Sequence, residues 1–225
     1  MPKRALYEKR PYLLASFAAA LAFYYLRAGP VPELYLIPVK GAAVGLLALY
    51  AFMRHHSPDS RLLVWVMALA AVGDMAFEVD SETAAWLYFG SHLFALGLYL
   101  RNRRPVLSTS QKACAASLLL LLPAICAVLA LPGSRFSAAL YGLTMGAMAA
   151  TAWTSVFPRY RVGAGAVLYV AAELLLLAGL GIMQGSMIPQ IFAWPLYYLG
   201  QFLICTGVIQ TLRKRDPELR LIHGR

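Results

Sequence analysis

The chain has 225 residues, of which 60% are hydrophobic and only 13% are charged. Ordinary globular domains have roughly 45–50% apolar and about 25% charged residues, and a soluble fold of this composition would expose apolar patches that such proteins avoid. The net charge of +10 sits in short clusters between long apolar runs, so no nucleic-acid partner is needed to explain it. The composition predicts an all-α, polytopic bundle of transmembrane helices.

The apolar runs are separated by segments rich in Pro, Gly and polar residues, which stop helices. Because a helix needs about 20 apolar residues to cross a bilayer core, the runs predict eight spans. A basic N-terminus (1–10) precedes this transmembrane domain (11–212), and a basic tail (213–225) follows it. The predicted spans are 11–27, 34–53, 61–79, 84–100, 112–131, 137–157, 162–184 and 189–212.

Lysine and arginine are distributed unequally between the two sides of this bundle. Of the 20 basic residues, all but three lie in the N-terminus, in the loops after spans two, four and six, or in the tail; the exceptions are Arg27, Lys40 and Arg135. Loops with excess positive charge remain cytoplasmic, so both termini are predicted to be cytoplasmic. The charge also favours contact with anionic lipid headgroups. We interpret the protein as resident in a bacterial inner (plasma) membrane.

Five spans carry a polar side chain at a position where hydrocarbon is expected. An ionisable group there costs roughly 2.5–3.5 kcal/mol on insertion scales, so each one needs a reason. At about 1.5 Å of rise per residue, all five residues fall in the middle to outer half of the membrane, and this shared depth predicts that they converge on one interior site. They are Lys40, Asp74, His92, Glu173 and Gln201, the last following Tyr197 and Tyr198.

Two interpretations of these residues stay open. In a structural network, Lys40 pairs with Asp74 or Glu173, while His92 and Gln201 bond across helices. In a hydrated pocket, the two carboxyl groups carry out acid–base chemistry. Three further acidic residues at the outer end of span three are expected to form a solvated loop: Glu78, Asp80 and Glu82.

No cofactor is expected from the sequence. The three cysteines, Cys114, Cys126 and Cys205, are isolated within apolar runs and show no metal-ligand spacing. Free cysteines in such positions are usually small buried residues. The predicted site therefore contains no metal.

Four motifs occur in a characteristic order. They are Gly73-Asp74 in span three, Tyr88-x-x-x-His92 in span four, Gly165-Ala166 to Ala172-Glu173 in span seven, and Tyr197-Tyr198-x-x-Gln201 in span eight. This set resembles the YhhN-like lysoplasmalogenase family of eight-span membrane proteins over roughly residues 34–212. Lys40-Gly41 is similar to the family's Lys-Pro, with glycine in place of proline. The family's Ser-Asp in span seven is Ala172-Glu173 here.

The resemblance implies a hydrolase that cleaves the vinyl-ether bond of lysoplasmalogens, which are alkenyl-glycerophosphoethanolamines or -cholines. The products are a fatty aldehyde and a glycerophospho-base. Asp74 and Glu173 would supply an acid and a carboxylate, and Lys40 would keep one of them ionised. His92, Gln201, Tyr197 and Tyr198 would position substrate or water. The partners are then a lysophospholipid and the bilayer, and a homodimer is compatible with this interpretation.

A transporter or binding protein for a lipid or small amphiphile is the alternative function, because it would use the same buried charges. The sequence does not distinguish these two classes. Release of aldehyde from lysoplasmalogen is the observation that separates them, since a transporter provides no route to that product.

The predicted topology can be tested with reporter fusions. Fusions at Arg104 and at Gly133 should label opposite sides of the membrane, because one span separates the two loops and only the first loop is rich in arginine. Labelling of the same side by both reporters would show that the number of spans is wrong.

Overall fold

A computed structural model describes residues 10–215, and this part of the chain forms eight α-helices. Each helix coincides, within a few residues, with one predicted span, and the all-α prediction is confirmed. The basic segments predicted at 1–10 and 213–225 lie largely outside the described residues. The helices are α1 (Arg10–Leu26), α2 (Glu33–Arg54), α3 (Pro58–Phe77), α4 (Ser81–Arg101), α5 (Thr109–Leu129), α6 (Arg135–Thr154), α7 (Ala164–Leu180) and α8 (Met187–Arg215).

Five of these helices are long and apolar enough to cross a membrane: α2, α3, α5, α8, and α7 together with the π turn (Arg159–Gly163) that precedes it. The other three fall short for simple reasons. Helix α1 has only 17 residues, and α4 and α6 are long enough but less apolar. Five long apolar helices indicate an integral membrane protein of the polytopic helical type.

Local side-chain chemistry defines the start of two helices. Ser57 accepts a hydrogen bond from the Ser60 backbone N–H at the start of α3, and the Ser60 side chain accepts one from the Ser57 N–H in return. Ser108 and Gln111 form the same reciprocal arrangement at the start of α5. Such capping boxes satisfy N–H groups that have no partner within the helix, and Pro58 occupies the first turn of α3, where proline is tolerated.

The described helices divide into two compact units. The first unit contains residues 1–94 and 205–225, and within it α1 packs on α2 and α2 packs on α3. The second unit contains residues 95–204, and within it α5 packs on α6, α6 on α7, and α5 on α7. The two divisions of the chain fall inside α4 and α8.

Glycines bring helix backbones into direct contact in the second unit. A Cβ atom on Gly200 would lie 2.7 Å from the carbonyl oxygen of Gly165 and 2.9 Å from the backbone nitrogen of Tyr169. Similarly, a Cβ on Gly146 would lie 2.6 Å from the Leu118 carbonyl oxygen. Because helices in a membrane associate through close packing rather than through the hydrophobic effect, small residues at such contacts determine the spacing. Glycine at these positions sets the distance between α7 and α8 and between α5 and α6.

Two loops of the second unit lie side by side. Arg103 and Ser155 form an isolated antiparallel bridge, in which the Arg104 N–H donates to the Thr154 carbonyl (3.2 Å) and the Val156 N–H donates to the Asn102 carbonyl (2.8 Å). The segments that follow α4 and α6 therefore lie at the same end of the unit. The positive-inside interpretation likewise assigns both of these loops to one side of the membrane.

The glycine contacts lead to a stability prediction. Gly200→Ala should lower the free energy of unfolding by about 1–3 kcal/mol, the usual cost of overpacking, because its Cβ would meet backbone atoms that have no flexible end to move aside. Denaturant unfolding in detergent measures this change.

Gly97→Ala is the matched control, since a Cβ at this position in α4 has no neighbour within 4 Å. The control should be neutral or slightly stabilising, because alanine has the higher helix propensity. Equal losses in both variants would contradict the close-packing argument.

Candidate active site

Asp74 lies near the C-terminus of α3 and is 1% exposed. The Tyr88 hydroxyl, from α4, donates a hydrogen bond of 2.8 Å to Asp74 Oδ1. Gly73 makes room for this bond, because a Cβ there would lie 2.8 Å from the Tyr88 ring. The Gly73-Asp74 motif is thus explained by geometry: the glycine admits the aromatic ring that binds the carboxyl group.

His92 lies four residues after Tyr88, and so on the same face of α4. It is buried, at 2% exposure. The neighbouring Ser91 hydroxyl donates to the Val66 carbonyl (2.9 Å), which ties α4 to α3. The Tyr88-x-x-x-His92 motif therefore supplies two interior polar groups one helical turn apart.

Lys40 forms an ion pair with Glu78, a partner that neither interpretation of the sequence included. The Nζ atom lies 2.5 Å from Glu78 Oε1, and it also lies over the rings of Phe23 and Phe77 at 5.4 and 4.7 Å. The membrane depth estimated from the sequence located the backbone of Lys40, but it could not give the direction of so long a side chain. Lysine extends towards the membrane–water boundary, and Glu78 lies just beyond the last residue of α3.

The prediction that Glu78, Asp80 and Glu82 are solvated is confirmed for all three residues. Asp80 and Glu82 are exposed, and Asp80 accepts hydrogen bonds from the Thr83 hydroxyl and the Thr83 N–H. These bonds lower the pKa of Asp80 below its ordinary value. Glu78 is exposed as a whole residue, and its side chain keeps 24% of its accessible surface while it pairs with Lys40.

Glu173 lies in the middle of α7 and is 6% exposed. The Tyr141 hydroxyl, from α6, donates a hydrogen bond of 2.9 Å to Glu173 Oε2. Tyr141 also has a side-chain hydrogen bond with Tyr169. Although the serine of the family pattern is Ala172 in this chain, the carboxyl group still has a hydroxyl donor, which comes from a different helix.

The motif residues of α8 continue this chain of contacts in the second unit. The ring of Tyr197 lies 5.6 Å from the ring of Tyr169 and stacks on Trp194 at 5.7 Å. Tyr198 and Gln201 are also buried, at 6% and 2% exposure. The second unit thus contains a buried carboxyl group, four tyrosines and a buried amide.

Each unit consequently contains one buried carboxyl group that accepts a hydrogen bond from a tyrosine. Asp74 and His92 belong to the first unit, and Glu173 and Gln201 belong to the second. Sequence reasoning missed Tyr88 and Tyr141 as site residues. Tyr88 could have been found, since it begins the α4 motif, but Tyr141 lies in a run of small residues without any distinguishing neighbour.

Within the described residues, no group of three or more His, Cys, Asp or Glu side chains is arranged to hold a metal ion. Asp74, His92 and Glu173 lie on α3, α4 and α7, respectively.

The fold and these sites define a class: a polytopic α-helical membrane protein with buried, tyrosine-bonded carboxyl groups. A model of the YhhN family matches residues 35–208, a range that includes every motif residue from Lys40 to Gln201. The chain belongs to the YhhN family. Comparison with curated proteins and with solved structures finds no match.

The ion pair at the end of α3 leads to a second stability prediction. Glu78→Gln should lower the free energy of unfolding by about 1.5–3 kcal/mol, the range for a hydrogen bond to a charged group, because Lys40 is only 8% exposed and would lose its counter-charge. Unfolding in detergent provides the measurement.

Glu82→Gln, which neutralises an exposed carboxylate nearby in sequence, should stay within about 0.5 kcal/mol of the native protein. The double variant Lys40→Met/Glu78→Gln should recover much of the loss, because no charge is then left unpaired. An unchanged stability of Glu78→Gln would show that the pair contributes nothing.

Proposed function

We propose that the protein is a membrane-embedded hydrolase that cleaves the vinyl-ether bond of lysoplasmalogens, with Asp74 and Glu173 as its two essential carboxyl groups. The YhhN family includes lysoplasmalogenases, and the motif residues lie within the matched range. The observation that carries the proposal is the environment of the carboxyl groups. Each is at least nine-tenths buried, and each accepts a hydrogen bond from a neutral hydroxyl.

This environment suits acid catalysis at neutral pH. Burial disfavours the charged form of a carboxyl group, so one of the pair can keep its proton near neutrality. The hydrogen bond donated by tyrosine favours the anion of the carboxyl group less strongly than the full charge of a lysine ammonium would. Lys40, which pairs with Glu78, acts as a positioning group in this proposal.

The reaction begins with protonation of the vinyl carbon that is not bonded to oxygen. The carboxylic acid gives up its proton, and the positive charge that forms on the adjacent carbon is shared with the ether oxygen. The second carboxyl group, as the anion, stabilises this oxocarbenium-like cation and accepts a proton from the attacking water. The first carboxylate then takes the proton of the hemiacetal hydroxyl, while the second carboxyl group protonates the departing glycerol oxygen. The bond to that oxygen breaks, which yields a fatty aldehyde and the free glycerophospho-base and restores both carboxyl groups.

The remaining motif residues act as positioning groups in this proposal. His92 and Gln201, both buried, would orient the water or a glycerol oxygen. Tyr197 and Tyr198 offer aromatic surface and hydroxyl groups for the lysophospholipid. We further propose that all eight helices cross a bacterial inner membrane and that both ends of the bundle are cytoplasmic, as the distribution of basic residues predicts.

The chemistry is tested by two near-isosteric substitutions. Asp74→Asn and Glu173→Gln should each lower aldehyde release from lysoplasmalogen at least about 100-fold, in line with the loss of a general acid or base. Both amides can still accept the tyrosine hydrogen bond, so we expect the melting temperature to be retained. Aldehyde release and thermal unfolding are measured on the same purified preparations.

Glu82→Gln likewise replaces a carboxylate by an amide, but at an exposed position. It should leave aldehyde release and the melting temperature unchanged. A joint loss of activity and melting temperature in Asp74→Asn and Glu173→Gln would instead point to a structural network. Undiminished activity in either variant would disprove the two-carboxyl mechanism. Absence of aldehyde from the native protein, with binding or transfer of the intact lipid, would favour the transporter.

A third variant examines the departure from the family pattern. The pattern alone leads us to expect that Glu173→Asp keeps or raises activity. The structure leads to the opposite expectation, because the shorter side chain would withdraw the carboxyl group by about 1.5 Å, one carbon–carbon bond, from the Tyr141 hydroxyl. The double variant Ala172→Ser/Glu173→Asp should recover activity if a neighbouring serine hydroxyl substitutes for Tyr141.

A further inference from the structure

A cleft of about 480 Å³ opens at the end of the second unit where the α4 and α6 helices terminate. Its walls come from the last turn of α4, the loop of residues 103–107, the first turn of α5 and the last turn of α6. Three basic side chains line it: Arg103, Arg104 and Lys112. A volume of this size lies within the ordinary range of small-molecule sites, roughly 300–1,000 Å³.

The backbone around this cleft is held in place by hydrogen bonds and packing. The bridge between Arg103 and Ser155 joins the two loops, and the Arg104 guanidinium donates to the Ser155 carbonyl (3.4 Å). The ring of Tyr99 packs edge-on against Phe157 at 6.2 Å. The backbone that carries the basic side chains is thus fixed before a ligand binds. This favours binding, because little conformational entropy is then lost.

The cleft has a charge that its own unit does not balance. From residue 83 to residue 172 the sequence contains neither Asp nor Glu, and Glu173 is the one acidic residue between 95 and 204. That carboxyl group is buried in the middle of α7, where it bonds Tyr141. Three positive charges that share one cleft repel one another, so an anion placed among them lowers the electrostatic energy.

Apolar side chains also line the cleft, which limits the kind of anion that fits. Leu100, Val106 and Leu107 form this apolar wall together with the basic residues. Val106 is 79% exposed and is therefore accessible to a ligand. Phosphate is well matched by arginine and lysine donors, and the glycerol and first acyl carbons of a lipid would lie against the apolar wall.

We propose that this cleft binds the phosphate headgroup of an anionic phospholipid of the cytoplasmic leaflet. The proposal does not rest on the hydrolase activity. It uses the predicted orientation, which places the loop after α4 on the cytoplasmic side, where anionic headgroups lie. Here the lipid acts as a structural or regulatory ligand, separate from the substrate of the buried carboxyl groups.

Native mass spectrometry of the full chain, released from nanodiscs of mixed phosphatidylglycerol and phosphatidylcholine, tests the proposal. The native protein should retain phosphatidylglycerol in preference to phosphatidylcholine. Lys112→Gln should reduce this preference more than about fivefold, the effect expected for one basic residue near an anionic surface, because it also removes a specific contact. Lys214→Gln is the matched control, since Lys214 is an exposed lysine of α8 outside the cleft.

Equal effects of Lys112→Gln and Lys214→Gln would overturn the proposal, because attraction by the overall charge treats both residues alike. The Arg103→Gln/Arg104→Gln variant could disrupt the bridge between the two loops. The second variant therefore leaves all three basic residues in place. Val106→Glu places a carboxylate at the exposed mouth of the cleft. It should abolish the preference for phosphatidylglycerol while the melting temperature in detergent stays the same or rises.

A competition experiment tests whether the bound phosphate belongs to a lipid or to a soluble anion. Excess inorganic phosphate or glycerol phosphate should not displace bound phosphatidylglycerol, because neither one contacts the apolar wall. Displacement by either compound would show that the cleft prefers a soluble anion and would overturn the assignment to lipid. Phosphatidylglycerol should also raise the melting temperature of the native protein but not that of Val106→Glu, since a ligand stabilises only the state that binds it.

Discussion

The hydrocarbon core of a membrane contains no water to solvate a charge, and this constraint governs every polar side chain in the bundle. Each buried ionisable group must find its partner within the protein. Asp74 and Glu173 receive tyrosine hydroxyl groups from neighbouring helices. Lys40 meets the same requirement differently, with a carboxylate at the end of α3 and two aromatic rings. The helices can assemble because these pairings remove the cost of burial.

The choice of tyrosine as partner has chemical consequences. A buried ion pair costs desolvation for both members and stabilises the charged form of the acid. A phenol is neutral, so it binds a carboxyl group at a smaller cost and leaves the group able to take up or release a proton. The ammonium group of Lys40 has its ion pair with Glu78, and a lysine contact favours the anion of a carboxyl group more strongly than a phenol does.

Glycine links the packing of the helices to the geometry of these pairs. Gly73 leaves space for the Tyr88 ring beside Asp74, and the contact of Gly165 with Gly200 brings α8 against the backbone of Tyr169. In both cases the missing side chain allows an approach that a methyl group would prevent. These glycines therefore act through packing. Gly73 lets the Tyr88 ring approach Asp74, and the glycine contact lets α8 approach Tyr169.

The sequence by itself determined the helices to within a few residues, because the length of an apolar run is a local property. It also identified Asp74, His92 and Glu173 as buried, because an ionisable group within an apolar run has no other plausible environment. Only the tertiary structure decided the partners. The Tyr88 and Tyr141 hydroxyls and the Glu78 carboxylate come from neighbouring helices, and pairing across helices depends on side-chain direction and backbone distance, which no local pattern encodes.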